Sequence, residues 1–477
     1  MGKSILETIE EYIDEDIAPF SMPGHKQGRA FQNLLLAEDK LNLFLKADLT
    51  EVDGLDNLHH PEEMIKECLE DLSNVYGSKK SYFLVNGSTS GNLAMIFAAF
   101  NEGDEVLVER GCHRSIFNAI ILRKLKPIYL EHSYNTELGI DVPNNSKDVI
   151  AAIEREKNIK GVILTYPNYY GIGCDLKSIA DNCKKKKIYL IVDSAHGAHF
   201  GFNNKLPENA VKLGVDAVVE SAHKTLPSFT QTAYLHINNV DLIPKMNFYI
   251  SVFSSTSPSY MFMLSLEYSK DFVKNKASTE YERLINRINL LKNRINSIDG
   301  FRVIDKHCLE EHLGYRNFCF DDTRIVINVK QGLSGHRLLE YLRENKIQAE
   351  MSNDRNVVLI PTPFNIDEDY DKLLNALNKC NIKLLEEKVK PVYSNAEYEK
   401  VLEPYEVLNK YKRKINFKEA EDFVAGDNIV LYPPGTPLIV MGEKITKKHI
   451  EVIRKALNDR VQVLGVDENM ILVIEEI

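Results

Sequence analysis

No Cys-x-x-Cys pair occurs in this sequence, no apolar run approaches the ~18 residues that cross a bilayer, and basic residues are not in excess. Each absence removes a class of function. The seven cysteines stand singly at 68, 112, 174, 183, 308, 319 and 380, and their odd count suits reduced thiols rather than a disulfide frame. A net charge of −10 and a pI near 5.8 leave no basic field for nucleic acid and weakly favour cationic small molecules. The opening stretch MGKSILETIEEYIDEDIAPF is acidic and amphipathic, without the apolar centre of a secretory signal, and Leu6 breaks the myristoylation pattern. There is no internal repeat and no low-complexity tract. These features predict a soluble, cytoplasmic protein with neither a membrane nor a nucleic-acid partner.

A length of 477 residues, 44% of them hydrophobic, is enough for two to four domains at ~100–200 residues each and for a sizeable core. Residues 5–14 read as a short helix. Residues 20–63 are irregular and rich in Gly, Pro and His, a pattern that in a compact enzyme is functional or wraps a neighbour. From 64 onward, short β-branched runs at 82–85, 105–109, 127–130, 161–165, 188–192, 216–220 and 232–236 alternate with helical stretches at 90–101, 115–124, 146–156 and 176–187. This rhythm predicts an α/β domain with a mainly parallel seven-stranded sheet and helices on both faces. One or two long amphipathic helices are expected over 262–298, then a smaller α+β domain, a charged stretch and a C-terminal unit from about 415. The predicted divisions are 1–63 (entry arm), 64–265 (large domain), 266–390 (linker helix and small domain) and 391–477 (C-terminal domain).

Four segments carry candidate chemistry. SAHKTLP at 221–227 places Lys224 just beyond a strand's C-terminal end, where α/β sheets bind ligands. Burial beside a cationic cofactor lowers the pKa of such a lysine and fixes its geometry, although a loop lysine taken alone is more often solvated. IVDSAHGAHFGF at 191–202 ends an apolar strand on Asp193, a buried carboxylate that needs a partner. A protonated pyridine nitrogen would be one such partner; a helix cap, or a metal shared with His196 and His199, is the alternative. Metal ranks lower because no Cys or Glu completes the ligand set. NGSTSGN at 86–92 opens a helix after a strand, so its N–H groups and the hydroxyls of Ser88, Thr89 and Ser90 suit an anion, though ordinary capping explains it as well. No Gly-Lys-Ser/Thr follows, which excludes a Walker loop. RGCHRSIFNAI at 110–120 sets His113 at another helix start, where an imidazole can stack on a flat ring or simply cap.

Together these segments closely resemble the fold-type-I, pyridoxal-phosphate (PLP)-dependent decarboxylases of ornithine, lysine or arginine, in the short form of bacterial arginine decarboxylases. PFSMPGHKQG, LTEVDGLDNLHHPE (49–62), STSPSY (255–260) and YPPGTPLIVMGE (432–443) extend the resemblance over nearly the whole chain. The resemblance implies an aspartate-aminotransferase-like large domain, a small domain, a C-terminal appendage, and a homodimer or higher homo-oligomer with shared active sites. It also implies that Lys224 carries pyridoxal 5′-phosphate as a Schiff base and that Asp193 pairs with the pyridine nitrogen. Ala195 and His113 would flank the ring and His196 would lie near the phenolic oxygen. Ser88, Thr89, Ser90, Ser221 and His223 would serve the phosphate, while Lys224 or His223 returns the proton to the α-carbon. Residues 257–260 would reach the site of their own chain or that of a neighbour. Asp427 would face the distal cation of the substrate or, alternatively, cap a turn. Departures at Ser194, Arg114, Thr436 and Met441 leave the cofactor residues untouched. The absence of a receiver-like N-terminal domain argues against large ring assemblies. The implied reaction yields carbon dioxide and a polyamine precursor, with arginine the first substrate and lysine or ornithine next. The alternatives are another fold-type-I reaction, such as transamination or aldol cleavage, and a non-catalytic regulatory homologue.

Overall fold

A computed structural model describes residues 4–32, 46–130, 134–387, 398–432, 436–459 and 461–475. The amphipathic start forms α1 (Ile5–Asp14), opened by a Ser4/Glu7 capping box, and β1 (Ala18–Pro19) follows. The regular rhythm begins with α2 (Met64–Tyr76), β2 (Lys80–Leu84), α3 (Gly87–Ala99), β3 (Glu105–Glu109), α4 (Arg114–Arg123) and β4 (Lys126–Leu130). It continues through α5 (Ser146–Arg155), β5 (Gly161–Thr165), α6 (Leu176–Lys186), β6 (Tyr189–Asp193), β7 (Ala217–Glu220), the single turn α7 (Ala222–Thr225) and β8 (Ala233–Ile237).

These seven strands, each within two residues of its predicted limits, form one sheet in the order β2-β8-β7-β6-β5-β3-β4. Only β8 runs against the common direction of the other six strands. The strands read as unbroken apolar runs because both faces are covered. Val162 and Leu164 of β5 face a core shared with α2, α5 and α6, whereas Ile163 faces α3 and α4. Each such side chain contributes about 1.5–3 kcal/mol on full burial. One unpredicted helix, α8 (Ile243–Phe253), has Pro244 in its first turn and packs Met246 and Ile250 on the second core.

The predicted helix pair is α9 (Tyr260–Asn275) and α10 (Ala277–Asn296). The proposed division at 265/266 therefore cuts a continuous helix. Beyond it lie β9 (Phe301–Ile304), β10 (Ile325–Val329), α11 (Gly335–Glu344), β11 (Ile347–Gln348), β12 (Met351–Ser352), β13 (Asn356–Leu359) and α12 (Asp367–Lys379). The small sheet runs β9-β10-β13-β12, all antiparallel. The entry arm belongs with this domain: β1 pairs parallel with β11, Ala18 against Ile347.

The C-terminal unit has its own core, including Phe417, Ile429, Ile439, Ile453 and Val473. It is built from β14 (Lys412–Asn416), β15 (Ile429–Tyr432), β16 (Thr436–Ile439), α13 (Lys447–Asn458), β17 (Gln462–Leu464) and β18 (Met470–Ile474). The predicted 390/391 division and the Pro-Pro-Gly of the YPPG motif lie outside the described residues.

Candidate active site

The C-terminal ends of the parallel strands open on a cavity of about 460 Å³. The wall includes Ser88, Thr89, His113, Asp193, Ala195, His196, His223 and Lys224, so segments 86–92, 110–120, 191–202 and 221–227 meet at one place.

Lys224 is carried by α7, directly after β7. Its Nζ lies 3.1 Å from His196 Nε2 and 6.0 Å from the centroid of the Tyr169 ring. Burial pushes the pKa of this amine down, and Arg324 pushes the same way, while Asp193 and Glu350 oppose them. His196 is held neutral, well below the usual imidazole range, by burial first and then by the positive charge of Lys224 and Arg324. With Nε2 accepting from Lys224, its buried Nδ1 has no hydrogen-bond partner within the described residues.

Asp193 ends β6 and is 2% exposed. Its Oδ1 accepts from Ala195 N at 3.0 Å and its Oδ2 from Asn92 Nδ2 at 2.8 Å. The same Asn92 amide donates to Ser115 Oγ at 3.0 Å, and Ser115 Oγ lies 2.9 Å from His113 Nδ1. Asn92 and Ser115 thus fix the aspartate and the imidazole relative to each other, and neither was singled out in the sequence. Burial lowers His113 to about 4, against the pull of Asp193.

The start of α3 is shaped for an anion. Gly87 turns with φ +75° and its N–H is taken by the Gln231 carbonyl at 2.8 Å, but the N-cap Asn86 makes no side-chain cap, which leaves the N–H groups of Ser88 and Thr89 without a bond among the described residues, at the cavity wall. Gly91 lets this helix approach the sheet: a Cβ there would sit 2.6 Å from Leu84 Cδ1 and Val219 Cγ2. Ser221 Oγ donates to Ser88 Oγ at 2.9 Å. His223 Nδ1 is 2.7 Å from the Thr232 carbonyl, so it carries the proton and leaves Nε2 as the acceptor; burial lowers this histidine to about 4.

Two of the expected site residues, Ser90 and Asp427, stand off this chain's cavity. The Ser90 hydroxyl donates to Gly87 O at 2.8 Å, the back-bond of a helical serine, and does not line the cavity. Asp427 is exposed, accepts from Asn428 N at 2.7 Å, and lies outside its own chain's cavity wall, because the C-terminal unit docks elsewhere on the sheet. Ser257 and Ser259 face out of their own chain's cavity, bonded to Glu51 and Asp48 of the entry segment, as residues that serve a neighbour's site would. The Asp193–His196–His199 set is not assembled as a metal group: His199 turns away to Asp321, 3.2 Å from its Oδ2, and stacks on Tyr281.

The structure adds wall residues that the sequence did not suggest. Glu350, from the small domain, accepts from Met22 N at 2.9 Å and from Tyr169 OH at 2.7 Å. It thereby ties the entry arm to the aromatic ring that leans on His196, 4.5 Å between centroids. Gly24 N donates to the His223 carbonyl at 2.7 Å, so the PFSMPGHKQG segment braces the Lys224 turn. Glu109 and Asp141 add two more carboxylates to the cavity wall.

The profile of the family described as Orn/Lys/Arg decarboxylase, major domain, matches residues 4–369. The Bacillus subtilis protein YaaO is 33% identical over 494 aligned positions, covering 100% of this chain and 99% of the relative. An arginine decarboxylase of the same organism is 28% identical over 482 positions, covering 98% and 97%. Among solved structures, the lysine decarboxylase LdcF of Francisella novicida superposes with a TM-score of 0.78 at 20% identity, over 99% of this chain and 83% of that one, which supports the fold. No described helix is long and apolar enough to cross a membrane. With the family profile spanning the large domain and most of the small one, the chain belongs to the Orn/Lys/Arg decarboxylase family, and it is an amino-acid decarboxylase of the fold-type-I architecture.

Proposed function

We propose that the cavity binds pyridoxal 5′-phosphate and decarboxylates a basic amino acid, arginine first and lysine or ornithine next, to a polyamine precursor and carbon dioxide. The observation that carries this reading is the meeting of Lys224, Asp193 and the uncapped start of α3 on one cavity. The residues fit the cofactor. The amine of Lys224 has a lowered pKa suited to covalent attachment, and His196 Nδ1 has no hydrogen-bond partner among the described residues. When bound, the cofactor supplies the electron sink for the pair left by departing carbon dioxide.

The chain's own residues set up the rest. Asp193, locked by Asn92 and Ala195 N, presents its carboxylate to a cationic ring nitrogen. The α3 N–H groups and the Ser88 and Thr89 hydroxyls meet a phosphate, with Ser221 orienting Ser88. His113 and Ala195 flank a planar ring and exclude water. His223, neutral with Nε2 unprotonated, accepts rather than donates, which leaves Lys224 to return the proton to the α-carbon. Glu109, Asp141 and Glu350 give the wall the negative charge that a buried guanidinium or ammonium requires.

The exposed Phe248 and Val252 of α8 favour a homodimer or larger homo-oligomer, and seven free cysteines suit the cytoplasm. The test is incubation of the purified protein and pyridoxal 5′-phosphate with arginine, lysine or ornithine, scoring carbon dioxide and the amine by chromatography. Agmatine from arginine is expected. A keto acid without carbon dioxide would refute the reading.

A further inference from the structure

The segment that bears His113 is gripped from outside its own domain. Glu109 and Gly111 line the cavity, but Arg110 between them points the other way and is 1% exposed. Its guanidinium meets Glu443 of the C-terminal unit with both arms: NH1 bonds Oε1, and NH2 lies 2.6 Å from Oε2. NH2 also reaches the Leu438 carbonyl at 3.3 Å. The guanidinium lies 4.9 Å from the centroid of the Tyr129 ring and 3.9 Å from that of Tyr398. Glu443, also 1% exposed, is fixed in turn: its Oε2 accepts from Val440 N at 2.8 Å, and its carbonyl from Ala425 N at 2.8 Å.

Two further contacts hold the same unit. Ile121 of α4, the helix that His113 caps, packs in one cluster with Val407, Val424, Met441 and Ile474. Lys400 Nζ donates to the Pro127 carbonyl, at the strand after that helix, at 2.9 Å. The C-terminal unit therefore contacts the residue before the His113 turn, the helix after it, and the next strand. A bidentate, fully desolvated ion pair fixes direction as well as distance.

We propose that Glu443 is a positioning residue for the cofactor site: through Arg110 it sets the backbone of residues 110–114, and hence where the His113 ring stands against Asp193. This rests on the reading that the cavity binds pyridoxal 5′-phosphate. The path is continuous, from Glu443 to Arg110, along three peptide units to His113, then through Ser115 and Asn92 to Asp193. The C-terminal unit thus acts on the site from behind the cavity wall, without lining it.

The test compares full-length wild type with Glu443→Gln and with the pair Arg110→Met/Glu443→Leu. The pair variant replaces both charges with apolar side chains, which commonly preserves a fold where a lone buried charge does not. Each protein is titrated with pyridoxal 5′-phosphate by absorbance, and amide hydrogen exchange is followed in peptides covering 110–123 and 161–165. Either folded variant is expected to bind the cofactor at least tenfold more weakly. Its exchange should be faster over 111–116 and unchanged over 161–165, and kcat should fall more than KM rises. Glu443→Asp, which keeps the charge, should recover part of the affinity. A folded pair variant with wild-type cofactor affinity and wild-type exchange over 111–116, altered only in Tm, would overturn the proposal. Failure of the wild-type protein itself to bind the cofactor would instead overturn the reading on which it rests.

Discussion

Two buried strings of polar side chains run through the large domain, and they look alike in composition. One joins Asp193, Asn92, Ser115 and His113; the other joins Glu220, His236 and Ser81, with Asn209 on the glutamate. Each carboxylate ends one of two adjacent strands, β6 and β7. The first string opens on the cavity. The second is sealed: Glu220 is 0% exposed, and the Tyr76 ring stacks on His236 at 4.3 Å. Ser81 bonds His236, whose Nε2 stands 3.7 Å from Glu220, yet a serine, a histidine and a carboxylate in line do not make a site. Access does, together with polar ends left for a ligand.

The comparison breaks hardest at Lys224. Lys224→Ala should abolish turnover and the absorbance of covalently held cofactor while the fold persists. Retained absorbance near neutral pH would remove Lys224 from its role. Asp193→Asn comes next. The neutral amide keeps the shape of the first string but not its charge, so at least a thousandfold loss of rate is expected, about 4 kcal/mol at ~1.4 kcal/mol per decade. A variant within tenfold of wild type would contradict the ion pair with the ring nitrogen.

The sealed string should respond in stability instead. His236→Leu strands Glu220 without its imidazole and should cost about 3 kcal/mol in chemical denaturation. The kcat of the folded fraction should stay within about twofold. A large loss of kcat at unchanged stability would make the second string functional.

Acid separates the two regions more gently. Burial holds His113 and His223 at about 4, below the ordinary imidazole value near 6.5. An unfolded chain binds those protons first, so this contribution is complete above pH 6.5 and is lost as pH falls toward 4. The apoprotein should lose roughly 3 kcal/mol for each of these imidazoles over that window by denaturant titration, at ~1.4 kcal/mol per pKa unit. His113→Asn should flatten the slope, and an unchanged slope would show that the imidazole is not buried as described.

Much of this was legible in the sequence, for a physical reason. A strand covered on both faces writes an unbroken apolar run such as GVILT, so the seven strands could be read, and with them the strand ends that carry Lys224 and Asp193, whereas their order in the sheet could not. What could not be read was pairing between distant segments. Asn92 and Ser115 lie inside two of the four chosen segments, yet nothing in either reveals that one donates to the other. Glu350, 126 positions beyond Lys224, sits in AEMS just after β11 and stands on the cavity wall, where it accepts from Met22 N of the entry arm. Ser90 is not distinguishable in sequence from Ser88 and Thr89, since every hydroxyl near a helix start looks equally able to meet an anion, although this one bonds back into its own turn.

Asp427 tests the limit of reading by resemblance. The C-terminal position suggested a carboxylate for the substrate's distal cation, but in its own chain Asp427 is exposed and accepts from its neighbour Asn428 N. Three other carboxylates, Glu109, Asp141 and Glu350, already stand on the cavity wall. A solvated aspartate in a turn contributes only a few tenths of a kcal/mol, within the ~0.5 kcal/mol typical of surface substitutions. Asp427→Asn should therefore leave KM for the basic substrate within about twofold and Tm almost unmoved. Glu350→Gln, by contrast, changes the charge on the wall itself and should raise KM by tenfold or more. The two variants measured side by side decide the matter. If Asp427→Asn raises KM tenfold with cofactor affinity intact, the carboxylate must serve the cavity of a second copy, and the wall seen in one chain is incomplete.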